Sequence, residues 1–106
     1  MAGTIIITSK PASESEHLIE LAYLIAKDEP RVGILFVGDG VYSLMEGSEN
    51  QKVLQASGPS ILLFGCLQDI QSRGITDRLV ATATKVDYGE MVELIMNEFS
   101  RVVSYL

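Results

Sequence analysis

The sequence is poor in the residues on which much protein chemistry depends. It has one cysteine, Cys66, and one histidine, His17, among 106 residues. A single cysteine forms no intrachain disulfide, and one cysteine with one histidine supplies too few ligands for a structural zinc site. Tryptophan is absent, and 8 Lys and Arg stand against 14 Asp and Glu, a formal net charge of -6. That balance argues against direct nucleic-acid binding, because phosphate contacts need clustered cations. It also disfavours unaided docking to an anionic membrane. No apolar run approaches the roughly 20 residues a membrane helix needs. No basic stretch leads into the apolar start, as a secretory signal would require. Repeats, low-complexity tracts and linkers are absent. These gaps leave a soluble cytoplasmic protein of one domain, residues 1–106, with no cofactor or metal motif.

What is present is apolar: 47% of the residues are hydrophobic, enough for a real core. Thr4 to Thr8 is β-branched throughout and reads as a buried strand. Ser13 and Glu16 form a capping-box pattern ahead of a helix reaching Lys27, with Leu18, Leu21, Ala22 and Ile25 on its buried face. Val32 to Val37 is a second strand, and Gly38-Asp39-Gly40 turns the chain. A short helix over Val41 to Glu46 would carry Val41, Leu44 and Met45 inward, and Gln51 to Ala56 reads as a further helical turn. Gly58-Pro59 precedes a third strand, Ser60 to Phe64. Leu67 to Arg73 then reads as a helix ended by Gly74. Ala81 to Val86 is a fourth strand, and Asp87 with Glu90 caps a helix from Tyr88 to Phe99. The spacing puts Tyr88, Val92, Ile95 and Phe99 on one face of it. Arg101 to Tyr105 fits either a fifth strand or a longer helix.

Apolar strands alternating with helices predict an α/β fold. The expected sheet is mostly parallel, of four to five strands, with helices on both faces. Right-handed crossovers gather the turns after the strands at one edge, where such sheets bind their ligands.

Cys66 is the residue there with a mechanism. It sits between a strand and a helix, where free backbone N–H groups favour a thiolate. Its pKa is therefore expected below the roughly 8.5 of a free thiol. Gly65 beside it would let a donor sulfur approach. The competing reading is a small buried hydrophobe, as many free cysteines are. Gly38-Asp39-Gly40 lacks the spacing and the Lys-Ser/Thr of a phosphate loop and reads as a tight turn. His17 lies among Glu14, Glu16 and Glu20 and reads as solvated.

Three stretches carry a family resemblance. They are Ile34 to Leu44 with its D-G-V turn, Leu67 to Ile75 with its D-I-x-x-R-G-I helix end, and Val86 to Leu94 with V-D-Y. In order and spacing the chain resembles the DsrH/TusB-like family, within the DsrE-like superfamily of sulfur-relay proteins. The resemblance implies a DsrE-like fold and a subunit that assembles with DsrE/TusD-like and DsrF/TusC-like chains, or with itself. Such oligomers pass persulfide sulfur from donor to acceptor proteins, in tRNA wobble-uridine thiolation or dissimilatory sulfur oxidation. A cysteine ahead of the R-G turn, as Cys66 stands here, is similar to the active cysteine of DsrE/TusD-like chains. Cys66 is thus the candidate persulfide carrier. The alternatives are a non-catalytic assembly subunit and a small-ligand-binding domain built on the Gly38 turn.

Overall fold

The computed structural model describes residues 3–10, 16–29, 31–47 and 61–106. The expected Ser13 cap, the Gln51 to Ala56 turn and the Gly58-Pro59 break lie outside these residues. Among the described residues five strands form one sheet: β1 (Thr4–Thr8), β2 (Val32–Phe36), β3 (Ile61–Cys66), β4 (Ala83–Val86) and β5 (Arg101–Tyr105). Their order is β4-β3-β2-β1-β5, and every pairing is parallel. The strand reading of residues 101–105 is the correct one of the two.

The order explains how the helices divide. The connections from β1 to β2, β2 to β3 and β3 to β4 all step the same way across the sheet. Right-handed crossovers therefore put their helices on one face. That face carries α1 (Glu16–Ala26), a 3-10 helix (Gly38–Leu44) and α2 (Leu67–Ser72). Leu18 and Ala22 of α1, Val41 and Leu44 of the 3-10 helix, and Ile70 of α2 pack there on Ile6, Ile34, Phe36 and Leu63. The connection from β4 steps back across the whole sheet to β5. Its helix, α3 (Tyr88–Glu93), with the π-helical turn Leu94–Glu98 that continues it, lies on the opposite face. There Leu94 and Phe99 pack with Ile5, Leu35, Phe64 and Val86. Alternation along β1 to β3 divides the two sets: Ile6, Ile34 and Leu63 point one way, and Ile5, Leu35 and Phe64 the other.

Helix ends follow their local chemistry. Asp87 Oδ1 accepts from Glu90 N–H at 2.8 Å, and Glu90 Oε1 accepts from Asp87 N–H at 3.1 Å, a complete capping box. Gly74, at φ 65°, ends α2. Its N–H reaches Gln71 O and the Ile75 N–H reaches Ile70 O, a Schellman closure, with Ile70 and Ile75 both in the core.

One expected helix face is corrected. Tyr88 and Val92 are each 58% exposed, while Leu94 and Phe99 are buried and Met91 half-buried. The helix does not run to Phe99 at a constant 3.6-residue period. It widens into the π-helical turn, and Phe99 lies beyond it in extended backbone at φ -128° and ψ 140°. From there the Phe99 ring meets Phe64 edge-on at 6.4 Å between centroids. It also fills the space above Gly33, where a Cβ would come within 2.9 Å of Phe99 Cζ. The fourth strand is shorter than expected as well, because Ala81 and Thr82 form a turn.

Candidate functional site

Because all five strands are parallel, Thr8, Phe36, Cys66 and Val86 end at the same edge of the sheet. The turns that follow β2 and β3 meet there and are joined by polar side chains. Asp69, in the first turn of α2, accepts the Gly38 N–H at Oδ2, 2.8 Å away. Arg73, one turn further on, reaches back to Asp39. Its Nε and Nη2 lie 3.2 and 3.0 Å from Asp39 Oδ1. Its Nη1 donates to Asp69 O at 3.1 Å, and the guanidinium lies over the Tyr42 ring at 5.9 Å from the centroid. Asp39 is the main influence on Arg73 and pushes its pKa further up. Gly38 takes φ 53°, a backbone that favours glycine, so its amide can face Asp69. Gly40 passes so close to the end of β1 that a Cβ there would lie 2.8 Å from Thr8 O.

Cys66 stands beside this clasp as the last residue of β3 and the N-cap of α2. It is fully buried. Its thiol faces Gln68 Oε1 at 3.7 Å. The expected low pKa is reversed. Burial is the largest influence and pushes the thiol pKa up. The Asp69 backbone N–H pulls it down, while the Asp69 carboxylate raises it both as a hydrogen-bond acceptor and as a negative charge. Helix-terminal stabilisation is weak by comparison, since α2 spans only 6 residues and carries an acid in its first turn. The opening expected beside Gly65 is filled too. A Cβ there would meet Leu44 Cδ1 at 2.6 Å and Ile70 Cδ1 at 2.9 Å, so this glycine serves close packing inside the chain.

Cys66 is thus brought next to Asp69, and the sequence reading did not single out Asp69, Arg73 or Asp39. The signal for them was available: an acid in one turn, and an acid and an arginine around the next helix, each inside a stretch that carried the resemblance. His17 is exposed in the first turn of α1, 3.8 Å from Glu20, and makes no contact with Cys66 or the clasp among those the described residues show. Among the described residues, no three His, Cys, Asp or Glu side chains gather as metal ligands.

Known proteins bear on this arrangement at two levels. The chain is similar in fold to MTH1491, a protein of unknown function from Methanobacterium thermoautotrophicum, with a TM-score of 0.78 at 18% identity over 98% of each chain. It is similar likewise to the crystal structure of the ychN protein from E. coli, with a TM-score of 0.85 at 18% identity over 99% of this chain and 100% of that one. At that identity the likeness shows the fold. No curated protein matches the sequence. The family model for DsrH like protein matches residues 11–100, which takes in all three resembling stretches. The chain belongs to the DsrH-like family.

Proposed function

We propose that this chain serves a sulfur-relay complex as an assembly subunit and does not itself hold the transferred sulfur. Membership of the DsrH-like family implies a subunit of such a complex, working with other Dsr/Tus subunits. The observation that carries the finer reading is the state of Cys66: fully buried, with its pKa raised by that burial. A sulfur carrier must present a nucleophilic thiolate to a donor and then offer the outer sulfur to an acceptor. A thiol buried at the N-terminal end of α2 does neither unless the residues around it move aside.

In this reading the partners are DsrE/TusD-like and DsrF/TusC-like subunits, which supply the working cysteine in a cytoplasmic oligomer. The sulfur is delivered as persulfide, toward tRNA wobble-uridine thiolation or sulfur oxidation. No described helix is long and apolar enough to cross a membrane. The test is reconstitution of the relay from these subunits, with this chain wild-type, Cys66→Ala or omitted. The expected result is full sulfur delivery with Cys66→Ala and its loss on omission. Loss with Cys66→Ala in a chain that still assembles would overturn the reading.

One observation favours the carrier alternative. The backbone N–H groups of Asp69 and Gln68 both pull the Cys66 pKa down. They would stabilise a thiolate or persulfide if the thiol were uncovered to a donor with this helix end in place.

A further inference from the structure

We propose that the outer surface of α3, with the hollow beside it, docks a partner protein that presents apolar side chains flanked by lysines and arginines. The inference rests on the assembly reading above and gives that partner its chemistry.

The crossover pattern leaves this face of the sheet thinly covered. Among the described residues, the α3 segment is the one helix lying on it. Five strands about 4.8 Å apart span more than the width of one helix, about 10–12 Å. Parallel sheets are ordinarily covered on both faces. The segment also turns apolar side chains outward. Tyr88, Val92 and Met96 recur every four residues and are 58%, 58% and 72% exposed. Three large apolar groups in one line along an outer helix face mark an interaction surface more than scattered exposure does. Beside the helix, toward β4, lies a hollow of about 260 Å³ floored by Phe64, Val86 and Leu94.

Charge selects the occupant. No Lys, Arg or His occurs between Val86 and Ser100, while Asp87, Glu90, Glu93 and Glu98 do. Glu98 pairs with Arg31 at 3.5 Å. Glu90 and Glu93 rim the hollow and accept hydrogen bonds from Asp87 N–H and Asn97 Nδ2. Neither has an ion-pair partner among the described residues. A second copy of this chain meeting the first through α3 would set these glutamates against each other. A basic partner is drawn in instead. The aliphatic stem of a lysine or arginine fits the apolar floor while its head reaches the carboxylates at the rim.

The test uses the full chain with two probes. The first is the pair of DsrE/TusD-like and DsrF/TusC-like subunits. The second is a synthetic amphipathic leucine–lysine peptide, with a leucine–glutamate peptide as control. The paired change Val92→Glu and Met96→Glu, and separately Glu93→Lys, are compared with Leu24→Glu on α1. All four positions are solvent-facing, so folding is retained and is checked by circular dichroism. The expected result is a complex weakened at least about tenfold by the α3 variants and unchanged by Leu24→Glu. The lysine peptide should shift the methyl resonances of Val92 and Met96, less so in high salt, and the glutamate peptide should not. A wild-type complex that survives the α3 variants overturns this inference and leaves the assembly reading standing. No subunit complex, but lysine-peptide binding at α3, overturns the assembly reading alone. No complex and no binding at α3, or self-association that the α3 variants abolish, overturns this inference.

Discussion

Arg73 grips Asp39 across two turns of the chain, with Nε and Nη2 both bonded to the same carboxylate oxygen. The same arginine, through Asp69 O, is tied to the residue that receives the Gly38 amide. Two stretches far apart in sequence are thereby held together at the sheet edge beside Cys66. The contacts are unequal in energy. Asp39 is largely exposed, with its side chain 67% accessible, whereas that of Asp69 is 28% accessible.

That difference orders two substitutions. Asp39→Ala should cost about 0–1 kcal/mol, as exposed ion pairs do. Asp69→Ala strips the partner from a part-buried amide and should cost more, about 1–3 kcal/mol. Urea unfolding of the two variants checks the order, and equal losses would contradict it.

Gly65 should resist even a methyl group. Leu44 and Ile70 occupy the space its Cβ would need. Gly65→Ala is expected to destabilise by about 1–3 kcal/mol, the usual cost of overpacking a core. An Ala variant as stable as wild type, by the same urea titration, would show that the two side chains can move aside.

The phase of α3 is open to a direct comparison. Phe99→Ala removes a buried ring that packs on Phe64 and lies under the Arg31 guanidinium at 4.7 Å from its centroid. It should cost about 3–5 kcal/mol. Tyr88→Ala, on the exposed side, should stay within about 0.5 kcal/mol of wild type. The face expected from spacing alone would make both costly.

Cys66 should also leave a mark on the pH dependence of stability. Its pKa is raised in the folded chain, so the folded state keeps its proton after the unfolded state has lost it. This contribution is intact below the unfolded value, about 8.5, and is lost as pH climbs from there through the folded pKa. Stability measured across the alkaline range should fall less steeply in Cys66→Ala than in wild type. Iodoacetamide should alkylate the native thiol with a midpoint above that of a free thiol.

Much of the fold is legible in the residues, because apolar strands and capped helices are local signals. Thr4 to Thr8 and Asp87 with Glu90 carry theirs within a few positions. Strand order is not local, and neither is the fate of Arg101 to Tyr105, which is settled by pairing with β1 at the far end of the chain. The face of α3 was misread because a π-helical turn breaks the period on which such readings depend. At the site, the position of Cys66 at a strand-to-helix junction was readable. Asp69, three residues on, was within local reach and was passed over; the burial of Cys66 was not readable, since it comes from parts of the chain distant in sequence. The clasp was missed for the same reason: Asp39 and Arg73 are 34 residues apart.

The most direct test of the account is an intact mass spectrum of the folded chain after incubation with a persulfide donor, alone and within the reconstituted complex. The account predicts no added sulfur on this chain in either sample, with the sulfur found on a partner subunit. A reductant-sensitive gain of one sulfur, absent in Cys66→Ala, would contradict it and make Cys66 the carrier.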